Sequence, residues 1–199
     1  MQQGRFGELV SLIASAADDN PSIPTFKAGL AVARLESGDE DGARQLVGQA
    51  AAQSFSLPED SAWFEGMIMY ATAVTELHLP GPAEQLIALL APYHDQVPTN
   101  TLVSHSPVAT FLGGLASVVG RFEQAEVYFE EASELSRRGN MKFAEAQTDV
   151  LWGRMLRARD EPGDGVRARS LLEQARESAA TRGYGLVERQ AMAAFSELS

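Results

Sequence analysis

The stretch GRFEQAEVYFEEA, residues 120–132, decides the fold that this sequence predicts. It opens with a Gly-Arg pair, which indicates a turn. Ala125, Phe129 and Ala132 then follow at spacings of four and three residues, which place their side chains on one face of an α-helix. The segment therefore predicts a turn followed by a helix with one apolar face.

The same pattern recurs along the chain after turn-forming residues. Two clear copies and two weaker ones are Ala43-Val47-Ala50, Ala168-Leu172-Ala175, Ala83-Ile87-Leu90 and Leu9-Ile13-Ala16. The first residues of successive copies lie 34, 40, 42 and 43 positions apart. Such a period is typical of stacked helical units, because one small unit cannot bury its own apolar face.

Upstream of four copies lies another helical stretch with a small residue where the two helices would cross. These small residues are Ala31, Ala71, Gly113 and Gly153. The combined pattern predicts helices over residues 5–17, 25–37, 40–54, 60–77, 82–91, 107–119, 122–138, 141–158, 165–181 and 184–197. We expect Asp60 to be the N-cap of the fourth helix.

This pattern resembles the tetratricopeptide family, although three of the four spacings exceed that family's period of roughly 34 residues. The predicted fold class is all-α: a tetratricopeptide-like right-handed α-solenoid of antiparallel helix pairs, with about 9–10 helices. We expect residues 1–199 to form a single helical repeat domain. Its units would span approximately residues 4–23, 24–58, 59–106, 107–140 and 141–182, with a C-terminal helix over 183–199.

The composition argues against several classes of protein. The formal net charge is -11, whereas a nucleic-acid surface needs clustered cations. The chain contains no cysteine, which excludes disulfides and thiolate chemistry. No apolar run has the length of a membrane span, and the N-terminus does not resemble a signal peptide. We expect a cytoplasmic protein that uses no cofactor or metal and binds neither nucleic acid nor membranes directly.

A second resemblance covers nearly the whole chain. Besides residues 120–132, it is carried by Asn20-Pro21, Ala28-Gly29-Leu30-Ala31, residues 57–63, 89–93 and 144–149, and Pro162-Gly163-Asp164 before Arg167-Ala168. In this order, the motifs resemble the C-terminal helical region of bacterial, mostly actinobacterial, STAND-type signalling ATPases. These include LuxR-type transcriptional regulators and adenylate or guanylate cyclases with an AAA-like ATPase module.

The second resemblance implies a region that senses a signal or partner and restrains the ATPase. The ATPase, cyclase and DNA-binding parts have no counterpart in these 199 residues, so none of those activities carries over. The helix from Gly4-Arg5-Phe6 looks like the second helix of a pair without its mate, so we expect a segment of a longer protein. Its partner would be a protein or peptide, or other domains of the parent chain.

Stacked helix pairs form a concave surface that is lined mainly by the first helix of each pair. Counting from the repeat alanines, we expect eight exposed partner-binding positions there: Glu65, Thr72, Glu76, Thr110, Ser117, Gln147, Arg154 and Arg157. Their order predicts a groove that is acidic in the middle and basic at one end. A solvated face without a dedicated ligand is an equal alternative.

Catalytic and metal-binding motifs are absent from the sequence. No glycine-rich loop ends in Gly-Lys-Ser/Thr, and no two of the three histidines have the spacing of zinc ligands. We interpret Ser104-His105-Ser106 as polar loop residues within the irregular segment 94–106, which is either a tolerated insertion or a functional loop.

Three hypotheses remain: an interaction or sensor scaffold, a small-molecule effector-binding domain and, last, a helical enzyme. A shallow continuous surface would favour the first, and a deep pocket with clustered polar groups would favour the second. A buried, convergent set of titratable groups would be needed for the third.

Overall fold

A computed structural model describes residues 5–99 and 105–196, and the regular elements in these ranges are helical. The all-α prediction is therefore confirmed. The α-helices are α1 Val10–Asp19, α2 Thr25–Glu36, α3 Glu40–Ala52, α4 Trp63–Glu76, α5 Pro80–Leu90, α6 Val108–Val118, α7 Phe122–Arg138, α8 Lys142–Arg159, α9 Asp164–Arg182 and α10 Gly185–Ser196. Gly4, at the start of the predicted unpaired first helix, and Ser104, in the predicted polar loop Ser104-His105-Ser106, lie outside the described residues.

Two predicted turns owe their geometry to glycine. Gly38 and Gly120 have φ angles of 86° and 72°, a left-handed conformation that glycine adopts without a steric cost. After Gly38, the Asp39 side chain accepts a hydrogen bond of 2.9 Å from the backbone N–H of Gly42 and thereby caps α3. The chain therefore reverses before α3 and α7, as the sequence predicts.

The predicted capping role of Asp60 is wrong. Asp60 Oδ1 accepts a hydrogen bond of 2.8 Å from the backbone N–H of Ala62, and α4 begins only at Trp63, without a side-chain cap. The carboxylate thus stabilises the turn that precedes the helix. A short polar side chain serves either role, so the residue type alone did not locate the helix start.

The repeat positions form the core in four of the five copies. Their buried members are Ala43, Val47, Ala83, Ile87, Leu90, Ala125, Phe129, Ala132, Ala168, Leu172 and Ala175. The copy that begins at Leu9 does not form a buried face, because Leu9 is 42% exposed and lies in a 3-10 helix, Phe6–Leu9. The 3-10 period of three residues per turn breaks the i, i+4 register on which that expectation relied.

Two of the small residues lie where paired helices cross, as predicted. A Cβ atom on Gly113 of α6 would lie 2.5 Å from the ring of Phe129 in α7. A Cβ atom on Gly153 of α8 would lie 2.9 Å from Cγ of Leu172 in α9. Glycine therefore lets each pair approach more closely than any residue with a side chain would.

The helices contact one another in an alternating order. Consecutive helices contact one another along the chain, among them α2 and α3, α4 and α5, α6 and α7, and α8 and α9. In addition, α2 packs against α4, α4 against α6, α6 against α8, and α8 against α10. The surface that α2, α4, α6, α8 and α10 form together is called the inner face below.

Candidate ligand-binding surface on the inner face

The inner face encloses a cavity of about 110 Å³, which we call the inner cavity. All five inner-face helices contribute to its walls, and the chain before α6 contributes His105 and Ser106. Its apolar walls consist of Val32, Leu35, Ile68, Phe111, Phe143 and Leu186. An apolar concavity with a few polar groups is the usual form of a small-ligand site.

Three of the predicted partner-binding residues line the inner cavity. Thr72 and Glu76 lie on α4 one turn apart, and Gln147 lies on α8. The hydroxyl of Thr72 donates a hydrogen bond of 2.9 Å to the carbonyl of Ile68, which satisfies it within its own helix. Thr72, Glu76 and Gln147 are partly exposed.

Glu76 joins three inner-face helices. Its Oε1 atom accepts a hydrogen bond of 2.8 Å from Arg154 Nη1 on α8 and another of 3.3 Å from Gln190 Nε2 on α10. Glu76 and Arg154 are about three-quarters buried, so solvent screens this ion pair less than it screens a surface pair. The contact fixes α10 close to α4 across the inner face.

The predicted basic residues lie beside the inner cavity. Arg154 and Arg157 line a neighbouring concavity with Glu76 and Gln190, and Ser117 lines another with Arg154. Because Arg154 pairs with Glu76, part of the predicted contrast between an acidic middle and a basic end is neutralised within the protein. Arg157 remains largely exposed at that end.

Glu65 lies near the loop that precedes α6. Its Oε1 atom is 4.0 Å from Nε2 of His105, which is too long for a hydrogen bond, and its side chain is 31% exposed. Burial lowers the pKa of His105, and the negative charge of Glu65 only partly opposes that effect. His105 is therefore neutral at neutral pH.

The expected exposure of Thr110 is wrong. Thr110 is fully buried, and its hydroxyl shares a hydrogen bond of 2.9 Å with the hydroxyl of Thr148 in α8. The helical period placed Thr110 on the side of α6 that faces α8, where the neighbouring helix covers it. This pair links α6 to α8 and leaves Thr110 no surface for a partner.

His105 and Ser106 lie in the loop before α6, as the sequence predicts, but their side chains are largely buried. Ser106 is buried and donates a hydrogen bond of 2.6 Å to Oε1 of Gln147. The His105 side chain is only 10% exposed, and its Nε2 atom has no hydrogen-bond partner. The chain folds inward at this point, because the backbone N–H groups of His105 and Val108 bond to the carbonyls of Pro98 and Gln96.

Sequence reasoning missed Glu36 and Gln190, which also line the inner cavity. Glu36 Oε2 accepts a hydrogen bond of 2.9 Å from the backbone N–H of Phe6, whereas its Oε1 atom is buried without a partner. The sequence does contain a pattern that could have identified both residues. Glu36 follows Val32 by four residues, and Gln190 follows Leu186 by four. These spacings place each polar residue next to an apolar one on the same helix face.

No known family model, curated protein or solved structure matches this chain. The resemblance to bacterial signalling ATPases therefore rests on the sequence motifs alone. Within residues 5–99 and 105–196, no cluster of three or more acidic or histidine side chains is placed to hold a metal ion. In the same ranges, none of the helices combines the length and apolarity that a membrane crossing requires.

Proposed function

We propose that this chain is a tetratricopeptide-like right-handed α-solenoid of antiparallel helix pairs and acts as an interaction and sensor scaffold. One observation carries the proposal: the first helices of successive pairs, together with α10, pack side by side and surround one concavity. Stacked repeats characteristically present such a surface to a partner. The proposed role is binding without catalysis.

The proposed partner is a protein or peptide, or another domain of a larger parent chain. On the motifs quoted above, the segment would be the regulatory part of a multidomain bacterial transcriptional regulator or cyclase. It would act in the cytoplasm, without direct contact to nucleic acid or membranes. The net charge of -11 supports the exclusion of nucleic acid, since phosphate contacts require cations.

A comparison of matched surface variants tests this function. The purified chain would be used to capture partners from a lysate of its source organism, followed by mass spectrometry. The inner-face variant Glu76→Ala/Arg157→Ala is compared with an outer variant, Glu123→Ala/Arg169→Ala, which removes the same two charges from exposed positions on α7 and α9. We expect the inner variant to lose partners that the outer variant retains.

The proposed scaffold function is wrong if both variants capture the same proteins as the unchanged chain. Circular dichroism of the two variants serves as the control for folding, because Glu76 also bonds to Arg154 and Gln190. A variant's failure to capture partner proteins supports the proposed function only when its circular dichroism signal for helix equals that of the unchanged chain.

The inner cavity favours a second candidate, a small-molecule effector-binding domain of the same kind of regulator. The inner cavity has walls from five helices and a few polar groups, such as Glu36 and Gln147, among apolar ones, which is a usual form of a small-ligand pocket. Isothermal titration with small organic molecules tests this candidate separately.

A further inference from the structure

Two polar atoms of residues that line the inner cavity are buried without a hydrogen-bond partner. They are Oε1 of Glu36, at the end of α2, and Nε2 of His105, before α6. The other oxygen of Glu36 already bonds to the Phe6 backbone, which holds the carboxylate in place. Buried polar atoms are rarely left without partners, so two of them beside one cavity give its surroundings unused hydrogen-bonding capacity.

The charges around the inner cavity select the kind of ligand. Glu36 and Glu76 both line it, whereas its described lining residues include no lysine or arginine. Glu76 Oε1 already accepts hydrogen bonds from Arg154 and Gln190, so Glu36 Oε1 is the acceptor that lacks a donor. A partly buried carboxylate with one oxygen that lacks a donor is best compensated by a positively charged donor.

The remaining walls are apolar. Val32, Ile68 and Phe111 are buried side chains on α2, α4 and α6, and Phe143 and Leu186 continue the apolar surface onto α8 and α10. A ligand that fills this cavity therefore needs an apolar body besides its charged group. The neutral His105 ring does not repel a cation, and it offers one more hydrogen-bonding atom to the ligand.

We propose that the inner cavity binds a small organic amine, in which an ammonium group donates to the Glu36 carboxylate and an apolar body contacts the walls formed by α2, α4, α6, α8 and α10. This proposal rests on the proposed function, because it uses the same inner face. It adds the chemical class of the ligand: cationic and apolar, rather than anionic or purely polar. The net charge of -11 adds a long-range attraction for such a cation.

Three probes of similar size and different charge test the proposal. They are 2-phenylethylamine, which is cationic, 2-phenylethanol, which is neutral, and 3-phenylpropionate, which is anionic. Binding to the full chain is measured at neutral pH by saturation-transfer NMR and isothermal titration. We expect the amine to bind with a dissociation constant in roughly the millimolar range or below, since the probe is small. The alcohol should bind more weakly, and the carboxylate at least about tenfold more weakly than the amine.

Two variants locate the site. Glu36→Gln keeps an oxygen that accepts from Phe6 but removes the charge, so it should weaken amine binding by about tenfold and change alcohol binding little. Thr72→Leu narrows the inner cavity and should weaken the amine and the alcohol alike. Glu123→Gln, an exposed carboxylate on α7, is the matched control and should leave all three affinities unchanged.

The ligand proposal is overturned if the amine does not bind, if amine and carboxylate bind equally, or if Glu36→Gln has no effect on amine binding. Failure here is distinguishable from failure of the scaffold function, because protein capture would still depend on the inner face. Conversely, the chain could bind the amine and yet capture no protein whose binding depends on the inner face. That result supports the effector-binding candidate alone.

Discussion

At the scale of single residues, Asp149 makes the stability of this protein depend on pH. Burial on α8, together with the nearby negative charge of Glu145, raises the pKa of Asp149 to about 7. In the unfolded chain an aspartate titrates near pH 4. Between about pH 4 and pH 7 the folded state therefore holds a proton that the unfolded state releases. Asp149 accordingly contributes stability that is present below pH 4 and is lost as the pH rises towards 7.

The variant Asp149→Asn tests this effect, because asparagine keeps the shape and stays neutral. At pH 8 we expect the variant to be more stable than the unchanged chain by on the order of 3 kcal/mol, and near pH 4 the difference should vanish. Urea unfolding at pH values from 4 to 8 measures the two stabilities. Glu173→Gln, at an exposed position on α9, should change stability little at every pH. A difference for Asp149→Asn that does not vary with pH would contradict the account.

At the scale of the helical elements, Gly113 determines how closely α6 and α7 can pack. A methyl group at this position would overlap the ring of Phe129, which is fully buried and stacked on Trp152 with a centroid distance of 6.1 Å. The ring has little room to move, so Gly113→Ala should destabilise the protein by about 1–3 kcal/mol. Chemical denaturation measures the loss.

Gly48 provides the matched control for this prediction. It lies at an exposed position within α3, and a Cβ atom there would meet nothing within 4 Å. Because alanine favours a helix over glycine, Gly48→Ala should stabilise the protein by about 0.4–1 kcal/mol. Equal effects of the two substitutions would show that the crossing of α6 and α7 is looser than described.

The helices were predictable from sequence because their signal is local. The spacing of Ala125, Phe129 and Ala132 places these residues on one face wherever the helix lies, and glycine turns such as Gly120 separate the elements. The same spacing does not reveal which neighbour covers a face. Thr110 was expected to be exposed for this reason, although Thr148 of α8 covers it.

The candidate site was only partly predictable, because it assembles residues that are far apart in the chain. Thr72, Glu76 and Gln147 were found by counting along the first helices. His105 was not found, because it enters the inner cavity only through the backbone path before α6. Gln190 was also missed, since its contact with Glu76 spans 114 residues and depends on the packing of every helix in between.

At the scale of the whole molecule, the central claim is that the first helices of the pairs converge with α10 on one inner face. The contacts of Glu76 with Arg154 and Gln190 connect positions 78 and 114 residues apart in the chain. Successive contacts from α2 to α10 bring these helices round a common cavity. Both proposed functions depend on this convergence, since without it the inner cavity does not exist.

Cross-linking of introduced cysteine pairs tests this claim most directly, because the chain has no cysteine of its own. The pair Glu76→Cys/Gln190→Cys lies on the inner face, whereas Glu76→Cys/Arg169→Cys combines the same first position with an exposed residue of α9. Each pair is treated with a short bismaleimide at low protein concentration, and intramolecular links are identified by mass spectrometry. The account predicts an efficient link between residues 76 and 190 and little or none between 76 and 169. Absence of the 76–190 link, or equal links in both variants, would contradict it.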